Sequence, residues 1–102
     1  MIKIIYKVTV KSGKEKEFER LAAATLIPQA KIIKDCKLFS LFRNPANERE
    51  FIFYELWENN EAVKKYYKNL IKVLGRNKSG EIFPEKLNEF IEEEEDILHQ
   101  EV

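Results

Sequence analysis

In the first ten residues, Ile2, Ile4, Tyr6, Val8 and Val10 alternate with Lys3, Ile5, Lys7 and Thr9. A period of two sends alternate side chains to opposite faces, so this reads as a strand with one face buried and the other mostly polar. Ser12 and Glu15 have capping-box spacing, which predicts a helix starting at "SGKE". Its apolar stripe is Phe18, Leu21, Ala22 and Thr25, with Lys14, Glu15, Lys16, Glu17 and Arg20 facing away. Pro28 removes a backbone bond to Ala24 and clashes with its carbonyl. A kink or short break is therefore expected before a second piece carrying Ile32 and Ile33, with return to the sheet near Cys36.

"KLFSLFR" (37–43) and "EFIFYELW" (50–57) flank the turn signal "NPANER", which predicts a hairpin. In the second strand Ile52, Tyr54 and Leu56 point one way, while Phe51, Phe53, Glu55 and Trp57 point the other. Both faces are thus largely apolar, and each needs a cover. Asn59 or Asn60 can cap a following helix with the stripe Ala62 or Val63, Tyr66, Tyr67, Leu70 and Leu74, which Gly75 is placed to end. "RNKSG" reads as a flexible loop. Pro84 suits the first turn of a short helix with Leu87, Phe90 and Ile91 inward, and "DILHQEV" reads as a last strand.

The order strand, helix, strand, strand, helix, short helix, strand predicts a ferredoxin-like α+β domain, βαββαβ with an antiparallel sheet, over residues 1–102. The helices cover one sheet face. A second copy of the chain, packed sheet on sheet as a homodimer, is the expected cover for the other.

Composition narrows the function classes. At 44% apolar and 35% charged residues, with three Gly and three Pro, the 102-residue chain has the make-up of one folded core. Eighteen basic residues balance eighteen acidic ones, so the long-range field of a nucleic-acid or membrane-surface binder is absent and neither partner is expected. The acidic run Glu92–Asp96 reads as a solvated face. Cys36 is alone, which excludes an intrachain disulfide or a cysteine-pair metal site and fits a reducing compartment. The lysines in "MIKIIYKVTV" do not suit a signal sequence, and the cytoplasm is the expected location.

The candidate chemistry gathers in "YELWENNEAVKKYY" (54–67), a carboxylate, an indole and two adjacent phenols across a strand-to-helix junction. Glu55 is the one carboxylate in an otherwise apolar strand, and burial would raise its pKa toward a range useful to a base. The alternative is a structural ion pair or a hydrogen bond across a dimer. Trp57 is core or ligand platform. Tyr66 and Tyr67 lie about 100° apart around the helix, so both cannot point straight inward. Tyr6, Phe39 and Phe53 either line an aromatic slot for a flat ligand or fill it. His99 reads as a surface residue, and Cys36 as a small hydrophobe.

Three stretches taken in order, "SGKEKEFERL", "LIPQAKIIKDCKLFSLFRNP" and "FIFYELWENNEAVKKYY", resemble the antibiotic biosynthesis monooxygenase superfamily of dimeric α+β barrels. The resemblance implies a cofactor-free oxygenase of a phenolic or quinol-like compound, working without metal or flavin through a substrate anion that reacts with O₂. On it, Glu55 and Tyr66 are the candidate catalytic pair, and Tyr6, Phe39, Phe53, Trp57 and Tyr67 are candidate substrate contacts. Many members carry a histidine nine residues after the strand tryptophan, where this chain has Tyr66, a poor base at neutral pH. The Asn, Trp and His set of the haem-degrading branch has no counterpart here. Asp35 replaces the glycine that precedes the family's cysteine, a change expected to alter only the turn. The other reading is a non-catalytic dimeric binding or stress-related module that keeps the aromatic pocket.

Overall fold

The computed structural model describes residues 1–75 and 85–102. The alternation at the start forms strand β1, Ile2–Val10, with Ile2, Ile4, Tyr6, Val8 and Val10 all buried. Strands β2, Cys36–Asn44, β3, Asn47–Trp57, and β4, Ile91–Gln100, join it in a four-stranded antiparallel sheet of order β2-β3-β1-β4. This is the ferredoxin-like α+β arrangement expected from the order of elements. The two strands with the most buried residues, β1 and β3, take the centre, pairing Tyr6 with Phe53 and Ile4 with Glu55.

The hairpin is tighter than "NPANER" suggested. Both strands extend to Asn44 and Asn47, leaving Pro45 and Ala46 as the turn. The Asn44 side-chain oxygen accepts from the Ala46 N–H at 2.9 Å, an Asx turn that substitutes for the missing ladder. Phe51, Phe53, Glu55 and Trp57 are buried on one face, while Ile52, Tyr54 and Leu56 on the other remain half-exposed.

The first helical segment differs from expectation at both ends. Helix α1, Glu15–Leu21, has Lys14 at its N-cap with no side-chain cap bond. Gly13, at φ +86°, and the bond from the Lys14 N–H to the Lys11 carbonyl start the helix too late for Ser12 to cap it. The Ser12–Glu15 capping box does not form; Glu15 instead accepts from the Gly13 N–H at 3.2 Å. Nor does Pro28 break the rod. A π-helical stretch, Ala22–Leu26, leads directly into α2, Ile27–Lys31, and the Ile27 N–H bonds the Ala22 carbonyl five residues back. Pro28 then sits in the first turn of α2, where a missing N–H is tolerated. The wider turn re-phases the buried stripe to Phe18, Ala22, Leu26 and Ala30, so Leu21 and Thr25 lie at its margin. Ile32 ends α2 with its side chain exposed, and Ile33 turns inward.

Helix α3, Asn60–Leu74, follows the predicted stripe, with Ala62, Val63, Tyr66 and Leu70 buried. The Asn59 side chain caps it by accepting from the Ala62 N–H at 3.0 Å, and Gly75, at φ +94°, ends it. "RNKSG" and Pro84 lie outside the described residues. Helix α4, Glu85–Asn88, is followed by a turn, so Phe90 is buried beyond its end and Ile91 opens β4 rather than closing the helix. The strand thus begins five positions before Asp96, and the acidic run is β-structure. Five consecutive carboxylates conceal a period of two, but an exposed edge accepts charge on both sides, and that charge discourages pairing with another sheet.

The helices cover one sheet face. Phe18, 1% exposed, packs against Phe51 at 5.1 Å and Phe90 at 6.2 Å between ring centres. Burial of such a ring stabilises the fold by roughly 2 kcal/mol. No helix among the described residues is long and apolar enough to cross a membrane.

Candidate active site

Helices and sheet meet around a small cavity. From the sheet come Tyr6, Phe39, Phe53 and Glu55; from the helices come Leu26, Tyr66, Tyr67 and Leu87. Strand parity explains the sheet set, because Phe53, Glu55 and Trp57 share the inward face of β3, and register places Glu55 between Ile4 and Phe39. Helical phase explains the rest, since Tyr66 faces the sheet and Tyr67 stands one step round at the margin. The Tyr66 ring centre lies 5.4 Å from Phe39, 5.3 Å from Trp57 and 5.6 Å from Tyr67. Tyr6 stacks on Phe53 at 5.9 Å.

Glu55 is the chemical centre of this aromatic shell. It is 5% exposed, and its Oε1 accepts a 2.9 Å hydrogen bond from the Trp57 indole N–H. Of the alternatives open for Glu55, the described contact is this hydrogen bond within the chain; the ion pairs among the described residues do not include it. Burial pushes its carboxyl up to about 7, the Trp57 bond opposes that rise, and Asp96 adds to it. The group is therefore divided between acid and carboxylate near neutral pH, where a proton acceptor is most effective.

The phenols are held in the opposite condition. Tyr66 donates to the Leu26 carbonyl at 3.0 Å, and burial, with Glu55 next in effect, raises its pKa far above the ordinary phenol range. Burial raises Tyr67 as well, again with Glu55 next. Tyr6 donates to Glu94, and burial followed by that bond holds it protonated. All three are donors and not bases. Cys36 is free and half-buried at the start of β2, raised by burial, and it lies outside the cavity lining.

The structure thus brings together Tyr6, Phe39, Phe53, Glu55, Tyr66 and Tyr67 as lining. Trp57, read as core or ligand platform, is fully buried outside the cavity lining, and its indole N–H donates to Glu55. Sequence reasoning missed the Leu26 carbonyl, which depends on the π-helical phase. It also missed Glu94 and Asp96, which lie opposite Val8 and Tyr6 on the inward face of β4. Parity would have found them had the strand been started at Ile91. The cavity encloses about 20 Å³, room for about one water. A cavity that accepts benzene is nearer 150 Å³. An aromatic ligand therefore requires the lining to move outward. Among the described residues no group of His, Cys, Asp and Glu side chains could hold a metal.

Residues 1–69 match the family model described as antibiotic biosynthesis monooxygenase. No curated protein is a significant match in sequence. Solved structures resemble the fold over nearly the whole chain. PA3566 from Pseudomonas aeruginosa superposes with a TM-score of 0.74 at 14% identity, over 99% of this chain and 93% of its own. A conserved protein from Methanosarcina mazei superposes at 0.75 with 19% identity, over 99% and 92%. A variant of SnoaB, a cofactor-independent oxygenase from Streptomyces nogalater, superposes at 0.72 with 15% identity, over 98% and 91%.

Proposed function

The chain belongs to the antibiotic biosynthesis monooxygenase family, and on that premise we propose that it is a cofactor-independent monooxygenase of a small, electron-rich aromatic such as a phenol or quinol. The observation that carries this reading is Glu55, a buried carboxyl at about 7 that opens on an aromatic cavity and is oriented by Trp57. SnoaB, a cofactor-independent oxygenase of the same fold, supports the reaction class.

Glu55 takes the proton from the substrate hydroxyl. Because the carboxylate becomes neutral as the substrate becomes anionic, the cavity's net charge does not change and no new ion is desolvated. Transfer from a phenol of ordinary pKa near 10 to a group near 7 costs roughly 4 kcal/mol, well within an enzymatic barrier. The anion then supplies the electrons for O₂. O₂ adds at a ring C–H carbon of the anion; one oxygen atom becomes the new carbonyl there, and the other leaves as water with that hydrogen and the proton held by Glu55. Tyr67, kept protonated by burial, is a hydrogen-bond donor to the developing oxyanion, and Tyr66, whose one hydroxyl proton goes to the Leu26 carbonyl, joins it only by giving up that bond.

Oxygen uptake with a panel of quinols and anthrones tests the proposal. Uptake above a protein-free control is expected for at least one compound, with a loss of about 100-fold or more in Glu55→Gln and a smaller loss in Tyr66→Phe. If no compound is consumed but an aromatic ligand still binds, the chain is a binding module. The closed cavity and the tyrosine in place of the family's helix histidine favour that second reading.

The same proposal includes a homodimer. Leu38, Phe42 and Ile97 are exposed on the outer sheet face, beside half-exposed Ile5, Ile52, Tyr54 and Leu56. One end of that face carries Glu50 and Glu93 opposite Thr9, and the other carries His99 opposite Lys3. A second copy turned end for end about an axis across the strands sets the acidic end against the basic one. Phe42→Glu should convert the dimer to a monomer in sedimentation equilibrium at micromolar concentration; a wild-type monomer under those conditions would exclude this interface. Cys36, a free thiol, suits a reducing compartment such as the cytoplasm.

A further inference from the structure

One hydrogen bond ties the two helical arms together at the cavity. Tyr66, on α3, donates to the carbonyl of Leu26 at 3.0 Å, and both residues belong to the lining. The bond is buried, and the Tyr66 ring packs against Phe39, Trp57 and Tyr67. Leu26 is the last residue of the π-helical stretch, whose wide turn is closed by the Ile27 N–H on the Ala22 carbonyl. Pro28, two residues on, has no N–H to offer a carbonyl four or five residues back, so the rod lacks a backbone bond just before the residue that Tyr66 grips. The cavity closed in this way holds about 20 Å³, and no aromatic ring enters until the lining parts.

A phenol has a single proton to donate, so Tyr66 serves either the Leu26 carbonyl or a ligand, not both. When the arms separate, a ligand oxygen replaces the carbonyl as acceptor, and one buried bond is exchanged for another. A hydrocarbon offers no acceptor, and the hydroxyl is left in an apolar cavity without a partner, which is costly. Resting on the reading of this cavity as the substrate site, we propose that Tyr66 is a specificity-determining latch: its hydroxyl holds the empty cavity shut on Leu26 and passes to the ligand oxygen on entry, so that aromatics bearing an acceptor oxygen are admitted over hydrocarbons of the same shape. The oxygen that releases the latch is the one whose proton Glu55, in the same lining, is placed to take.

Toluene and para-cresol differ by one hydroxyl and test the latch. Binding is read by calorimetry, and the state of the Leu26 carbonyl by its carbon-13 shift, which moves upfield when a hydrogen bond to it is lost. The wild-type protein should bind para-cresol about tenfold or more tightly than toluene, against the greater hydrophobicity of toluene, and para-cresol should move the Leu26 carbonyl upfield. In Tyr66→Phe, whose fold is checked by circular dichroism, toluene affinity should rise about fivefold because no latch has to be broken. Para-cresol, which gains the open cavity but loses the donor, should gain nothing, and the Leu26 carbonyl should sit upfield before any ligand is added. Tyr67→Phe, which removes a hydroxyl of the same lining that does not bond Leu26, should not reproduce the toluene gain. The carbonyl shift in the wild-type protein decides independently of any variant. A Leu26 carbonyl unmoved by saturating para-cresol, no binding of para-cresol, a toluene affinity unchanged or lowered in Tyr66→Phe, or an equal gain in Tyr67→Phe would overturn the proposal. The expected shifts and affinities without oxygen uptake by any quinol would fail the oxygenase reading alone. Uptake of quinols by a protein whose Leu26 carbonyl stays bonded throughout would fail this one alone.

Discussion

Replacing Glu55 with glutamine will stabilise the protein at about pH 8 and leave its stability near pH 4.5 almost unchanged. The carboxyl titrates at 4.5 in the unfolded chain and at about 7 in the folded one. Between these values the folded state binds more protons than the unfolded state, so stability falls as pH rises through the window and then levels off. At about 1.4 kcal/mol for each tenfold change in proton affinity, the loss is about 3 kcal/mol. Glutamine resembles the protonated acid and can still accept from Trp57, so the variant keeps the low-pH stability and escapes the loss. Thermal melts of both proteins across the range should differ by on the order of 10 °C at the alkaline end and converge at the acid end. Parallel curves would show that Glu55 titrates as an ordinary carboxyl and remove the physical basis for its role as a base. The destabilisation is the expected counterpart of a functional site, where a group is held in a form that packing alone would not select.

Much of this site was legible because β-structure has a strict parity. The alternation of β1 grouped Tyr6 with Ile4 and Val8, and the parity of β3 grouped Phe53 with Glu55 and Trp57; the pairing of the two strands then brings both groups to one face. Asn59 and Gly75 bounded α3 correctly because capping is local chemistry. The misreadings arose where a local signal had two physical outcomes. Pro28 can break a helix or follow a π turn, and tertiary packing of Phe18, Ala22, Leu26 and Ala30 selected the second. The run Glu92–Asp96 has no hydrophobic alternation to read, yet pairing with β1 makes it a strand. Trp57 was assigned to core or ligand contact as separate alternatives. At i+2 from Glu55 it shares that residue's face, and it serves as both packing and hydrogen-bond donor. The size of the cavity had no sequence signal, since a void depends on how every ring settles.

Trp57 should prove the most sensitive position in the site, and two substitutions separate its functions. It is 0% exposed and packs against Phe39 and Tyr66. Trp57→Ala is expected to cost about 3–5 kcal/mol through the void it leaves, a large part of the 5–15 kcal/mol that holds a typical domain together. Trp57→Phe keeps most of the packing and removes the indole N–H, the one described contact that lowers the Glu55 pKa. The Glu55 proton affinity should then rise by about tenfold, in keeping with the strength of a hydrogen bond to a charged group. The acid limb of any pH–rate profile, and the alkaline loss of stability, should move to higher pH together. A double-mutant cycle with Glu55→Gln isolates the pair, with a coupling of about 0.5–3 kcal/mol expected near pH 8, where the carboxylate dominates, and a smaller one below pH 5. A coupling that does not change with pH would mean that Trp57 acts on Glu55 by packing alone, and the indole would have no part in setting the base.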